Sequence, residues 1–260
     1  MLRALLVPVL TTLLSASTPQ EGEAWIHQAE QKLYRWPEAG AHVSFEARTD
    51  ILDPLLASMR SQLVLHPDEN GSKLVAALEK MRMRGTLDTR SGKLEGPLVL
   101  DCGEVDEYTK SALEPMRRRM EVTLAGCFGS LPLSDPTLLR KGASVLTAEE
   151  TPDEHVVTVS GSRPGQKIVL HLARDNALPR TIELGPATMN MGYCEAAPGR
   201  FVPERIEVTP RAAPVTKSTI RWQKKDELWF PERVTLDMPG MQGMLSFEKL
   251  AVTPAAPVPK

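Results

Sequence analysis

A seven-residue pattern recurs three times in the second half of this chain, as LPRTIEL at Leu178–Leu184, VPERIEV at Val202–Val208 and FPERVTL at Phe230–Leu236. Each copy runs apolar, Pro, polar, polar, β-branched, polar, aliphatic. Proline has no N–H to give to a sheet ladder, so it belongs at the first positions of a strand. Alternation beyond it places Ile182 and Leu184 on one face, with Ile206 and Val208, then Val234 and Leu236, at the equivalent positions. Each copy also follows another alternating stretch across a turn. Ile168, Leu170 and Leu172 precede Asp175-Asn176; Met189, Met191 and Tyr193 precede Pro198-Gly199; Ile220 and Trp222 precede Lys225-Asp226. The chain from Ser144 onward therefore reads as a meander of antiparallel hairpins, closed by a strand at Leu245–Leu250. Glu204 and Glu232, one place after the repeat proline, have inward parity. They either rim a cavity or pair with Arg180 or Arg205.

A sheet with one apolar face must cover it. The first half of the chain supplies amphipathic helices, which makes the fold class α+β. Trp25, Ala29 and Leu33 form a helical stripe within Glu23–Tyr34, which Pro37 ends. His42–Thr49 alternates as a half-buried strand. Asp53 followed by Pro54 is a helix start, with Asp as N-cap and Pro at N1, and Leu55, Leu56, Met59 and Leu63 make its apolar face. After the turn Pro67–Gly71, Ser72 is placed to cap a helix running to Met81, whose core side is Leu74, Leu78 and Met81. Two strands, Arg84–Thr89 and Lys93–Leu100, meet at Ser91-Gly92. A third helical region, Val105–Leu124, is expected to kink or break at Pro115.

At the N-terminus, Arg3 precedes the apolar run Ala4–Leu14 and the small residues Ser15, Ala16 and Ser17. That is the build of a secretory signal peptide over residues 1–17, cleaved after Ala16 or Ser17. The run falls short of the ~20 apolar residues that a membrane-spanning helix needs. A periplasmic or secreted location is the expectation, with no transmembrane span and, lacking a cysteine at the end of the signal, no lipid anchor attached there. The Pro/Ala-rich residues 252–260 read as a disordered tail. Three cysteines, Cys102, Cys127 and Cys194, leave open one disulfide plus a thiol or three reduced thiols.

No catalytic constellation stands out. The chain has no GxSxG, GxxxxGK[ST], HExxH or CxxC, and its five histidines do not occur at metal-ligand spacing. Neither an enzyme, nor a metal, nor a cofactor is expected. A net charge of −2 provides no footprint for nucleic acid. The one basic cluster, Arg117-Arg118-Arg119 between Met116 and Met120, reads as a solvated helix face. Glu149-Glu150 and Asp153-Glu154 read as a surface loop. Met189, Met191, Met238, Met241 and Met244 gather in the strand region, either as core filling or as soft contact for a varied apolar ligand.

MRMRGTLDTRSGKLEG and the later ARDNALPRTIEL resemble the early and late hairpins of the outer-membrane lipoprotein carrier family (the LolA-like and LolB-like proteins). The resemblance implies an antiparallel sheet curled into an incomplete barrel, covering residues 21–251, with helices as a lid over an apolar cavity. A helical insertion at about 104–140 has no counterpart in that pattern. It also implies a lipid or lipoprotein acyl chain as ligand, or an envelope protein partner if the core is filled. The cavity wall would then comprise Ile182, Leu184, Met189, Met191, Ile206, Val208, Trp222, Phe230, Val234 and Leu236.

Overall fold

A computed structural model describes residues 15–36, 40–133, 144–161, 163–239 and 241–255. The expected export segment lies outside the described residues as far as residue 14. Its last three residues, Ser15–Ser17, form a short strand, β1. The next elements are α1 (Pro19–Lys32), β2 (Ala41–Thr49), α2 (Asp53–Leu65), α3 (Glu69–Lys80), β3 (Arg82–Asp88), β4 (Lys93–Leu94), β5 (Val99–Asp101) and α4 (Glu107–Leu133). Nine strands follow: β6 (Val145–Glu150), β7 (Glu154–Ser160), β8 (Lys167–Ala173), β9 (Pro179–Leu184), β10 (Ala187–Ala197), β11 (Arg200–Pro210), β12 (Thr216–Lys225), β13 (Leu228–Met238) and β14 (Met241–Pro254). The protein is thus α+β. All fourteen strands join one antiparallel sheet in the order β1-β6-β7-β8-β9-β10-β11-β12-β13-β14-β2-β3-β4, with β5 also on β3. Among the described residues the two ends of that order do not pair with each other, so the sheet is open. The long meander arises because sequential strands are neighbours, and β2 closes on β14 from the other end of the chain.

The threefold repeat encodes more than strand starts. In each hairpin the register slips by one residue directly after the proline. Leu172 faces Pro179 but His171 faces Thr181; Tyr193 faces Pro203 but Gly192 faces Arg205; Trp222 faces Pro231 but Arg221 faces Arg233. Arg180, Glu204 and Glu232 are therefore the extra residues of three β-bulges, which bend and twist their strands. The inward parity expected for Glu204 and Glu232 fails for this reason. Glu204 is exposed, and Glu232 pairs with Arg221 at 2.8 Å rather than with Arg180 or Arg205.

Other boundaries also differ from the sequence reading. A capping box starts α1 earlier than Glu23, because the Thr18 hydroxyl accepts from the Glu21 N–H while the Glu21 carboxylate accepts from the Thr18 N–H. The helix ends at Lys32, before Pro37. The N-cap of α2 is Leu52, with no side-chain cap, and Asp53 lies in the first turn. Asp68, not Ser72, caps α3 by accepting from the Gly71 N–H at 2.6 Å. α4 runs unbroken through Pro115, an exposed residue that lines a cleft and gives no N–H to the Ser111 carbonyl. Residues 134–140 of the expected insertion lie outside the described residues. Val252, Thr253 and Pro254 are not tail but strand, paired with Val43, His42 and Ala41. Glu149 and Glu150 belong to β6, Glu154 to β7, and Glu150 pairs with Arg174 at 2.9 Å. Cys102 and Cys194 are free thiols.

One buried cluster joins strand residues from β2 through β14 with Ile26 and Ala29 of α1 and Met120, Leu124 and Phe128 of α4. At its centre four of the five phenylalanines, Phe45, Phe128, Phe230 and Phe247, all touch one another, with ring centroids 5.5–6.2 Å apart. A second, smaller cluster unites Leu56 of α2, Val75, Ala77 and Leu78 of α3, Leu113 of α4, and Met81 and Cys102.

α1 seats on the β6–β7 hairpin through Gly22, where an added Cβ would stand 2.9 Å from the Ala148 Cβ. Trp25 stacks on His155 of β7 at 4.1 Å and 18°. His155 is buried, its Nδ1 has no hydrogen-bond partner among the described residues, and burial pushes its pKa below the usual imidazole value, partly offset by Glu150. A depressed folded-state pKa means the native state resists protonation. The contribution is therefore complete above the unfolded pKa of about 6.5 and is lost as pH falls through the interval down to the folded value. Urea midpoints should drop from about pH 7.5 to about pH 5 by more in the wild type than in His155→Phe. Equal drops would remove His155 as the cause.

Candidate functional site

A cleft of about 840 Å³ lies beside the main core rather than within it. One wall is a single face of α4, since Ala112, Pro115, Met116, Arg119 and Met120 recur at i, i+3, i+4, i+7 and i+8. A second wall is the β2–α2 junction with the first turn of α2: Ile51, Leu52, Pro54 and Leu55. The third comprises Asp237, Met238, Pro239 and Gln242 where β13 turns into β14, with Val215 from the β11–β12 connection. Eleven of these fourteen residues are apolar, and Leu55 and Val215 are exposed despite being large and aliphatic.

The geometry of the cleft depends on a close backbone approach. The Asp50 N–H donates to the Met244 carbonyl, and the Asp50 carboxylate accepts from the Met244 N–H, so the start of β14 is tied to the β2–α2 junction. Gly243 makes this possible. A Cβ there would lie 2.6 Å from Asp50 Oδ1 and 2.8 Å from the Ile51 Cα. Backbone cannot swing aside as a side-chain tip can. Gly243→Ala should therefore destabilise the fold by about 1–3 kcal/mol and weaken any binding in the cleft. A denaturation midpoint matching the wild type would show that the approach is not tight.

The charges on α4 divide in two. Arg117 donates to Glu114 and Glu121 and Arg118 donates to Glu114, at 2.7–3.0 Å. Hydrogen bonds from these two guanidinium groups bring the Glu114 pKa down to about 2. Arg119, which faces the cleft, has no ion pair among the described residues. Across the cleft the Asp237 carboxylate accepts from the Gln242 side-chain amide at 2.7 Å. No group of three or more His, Cys, Asp or Glu suited to a metal occurs among the described residues.

The ten residues expected to wall a cavity lie elsewhere. Ile182, Met189, Met191, Ile206, Phe230, Val234 and Leu236 are buried in the main core, and Leu184, Val208 and Trp222 pack against it half-buried. None of them lines the 840 Å³ cleft, nor any of three others of about 590, 560 and 370 Å³.

No protein-family model matches this chain, and no curated protein or solved structure is significantly similar to it.

Part of the cleft was visible in the sequence. Leu55 was on the apolar face of α2, Met116 and Met120 flanked the arginine run, and Met238 stood among the clustered methionines. Ile51, Leu52 and Val215 carried no signal, because they lie in connections whose neighbours are set by distant contacts. No described helix is long and apolar enough to cross a membrane.

Proposed function

We propose that this chain is an exported binding protein that holds the apolar part of a small ligand in the cleft between α2, α4 and the β13–β14 turn. The observation that carries the reading is the cleft's size and lining together. Ligand pockets run to about 300–1,000 Å³ and are lined mainly by apolar groups with a few polar ones. A volume of about 840 Å³ with three polar residues in fourteen fits that description. Three methionines, Met116, Met120 and Met238, give a wall that can adapt to varied shapes. Each buried CH₂ of a lipid tail would contribute about 0.8 kcal/mol.

The same reading takes the sheet as an incomplete barrel of the lipoprotein-carrier kind, with α1 and α4 as its cover. Three bulges on alternate strands, β9, β11 and β13, support the curl. So does the approach of Phe45 to Phe230, whose rings are 6.2 Å apart although β14 lies between their strands. Flat sheets keep strands two apart at about 9.5 Å. Binding rather than catalysis is the role proposed for this cleft. An exported location rests on the N-terminal segment.

A second reading has a specific observation behind it. The ten residues first expected to wall a cavity are packed in the core, which favours an envelope sensor or protein-interaction module with a filled interior. One comparison separates the two. Protein from the exported fraction would be extracted for lipid and titrated with a fluorescent apolar probe, alongside Leu55→Asp. Saturable binding that Leu55→Asp abolishes without changing the unfolding midpoint is the expected result. No co-purified lipid and no saturable probe binding would sink the carrier reading in favour of a protein partner.

A further inference from the structure

We propose that the ligand is an amphiphile with one anionic head, held at Arg119, and a tail lying along α4. This rests on the cleft being a ligand site. A solvated arginine needs no partner, and Arg117 and Arg118 show that this helix readily supplies partners on its other faces. Arg119 differs from both: it is the one cation in a wall otherwise made of Ala112, Pro115, Met116 and Met120 on the same helix face. A guanidinium presents a planar fork of donors that matches a carboxylate or a phosphate. Its weak hydration suits it to an apolar edge, where an ammonium would hold its water.

The opposing charge does not cancel this preference. Asp237 is the cleft's single acid, it forms no ion pair with Arg119, and its carboxylate is engaged by the Gln242 amide. The two charges thus sit on separate walls, and the apolar surface of Met116, Met120 and Met238 lies in the same cleft. A headgroup at Arg119 leaves that surface for the tail.

The test uses the full chain at about pH 8, where a fatty acid is ionised and an alkylamine is protonated. Dodecanoic acid, dodecan-1-ol and dodecylamine compete for a bound fluorescent apolar probe on the wild type, Arg119→Gln and Arg119→Lys. The acid should bind at least about ten-fold more tightly than the alcohol or the amine, as one charged hydrogen-bonded pair supplies. Arg119→Gln should erase that advantage and leave the alcohol within about two-fold, while Arg119→Lys keeps part of it and loses the rest with the bidentate geometry. Added salt should narrow the gap. An acid that binds no better than the alcohol, an amine that binds best, or an advantage that survives Arg119→Gln overturns the inference and leaves the apolar cleft standing. Absence of saturable binding by all three overturns the cleft reading and this inference together. Arg119 is exposed and unpaired, so its replacement is not expected to disturb folding.

Discussion

Phe128→Ala is expected to lower the unfolding free energy by about 3–5 kcal/mol, the range for deleting a buried aromatic side chain. Phe128 is 1% exposed and touches Phe45 of β2, Phe230 of β13 and Phe247 of β14. Those three strands meet at the place where the early part of the chain rejoins the meander, through the β2–β14 pairing. Removing the ring would leave a cavity lined by three other rings that are already in mutual contact and have little freedom to close it. The second consequence is local. Met116 and Met120 lie on the same helix, so loosening α4 should also blur the cleft. Urea unfolding gives the stability, and apolar-probe binding gives the cleft. A loss below about 1 kcal/mol would mean that α4 is held by its other contacts and that the aromatic cluster is incidental.

Ile206→Asp is expected to be at least as damaging and for a different reason. Ile206 is 3% exposed and faces Met191 on β10 and Ser218 on β12 in register. An aspartate there must either bury an unpaired charge or take up a proton to avoid it, and both cost several kcal/mol. A loss of more than about 4 kcal/mol, or failure to fold, is the expected outcome. The variant also reports on the interior of the sheet. Were that face an open, solvent-filled cavity, the introduced carboxylate would be hydrated and the protein would keep its stability while losing an apolar ligand. Near-wild-type stability would therefore return the ligand site to the sheet interior. With the packed interior, Leu55→Asp is expected to cost any binding in the cleft and Ile206→Asp to cost the fold.

Much of the sheet was legible because strand signals are local. Parity along LPRTIEL, VPERIEV and FPERVTL placed Ile182, Ile206 and Val234 inward, and all three are buried. The turns at Asp175-Asn176, Pro198-Gly199 and Lys225-Asp226 join the pairs β8–β9, β10–β11 and β12–β13, as the reading required. The errors have equally definite causes. A bulge leaves its extra residue outside the alternation, so parity counted back from Ile206 and Val234 went wrong at Glu204 and Glu232. The α4 region was expected to stop at Leu124 and to break at Pro115, which left Phe128 out of the core. Val252–Pro254 looked like tail because only pairing with β2, some two hundred residues earlier, makes them a strand.

The chain by itself determined the hairpins, their inward faces and the presence of amphipathic helices, since each of these follows from a period of two or of 3.6 within a few residues. Only the tertiary structure decided what meets those faces. Phe128 and its neighbours on α4 occupy the sheet side where a cavity was expected. The 840 Å³ cleft lies instead where residues near positions 51–55, 112–120, 215, 237–239 and 242 converge. No local pattern carries that outcome, because close packing is a property of surfaces brought together from far apart in the chain.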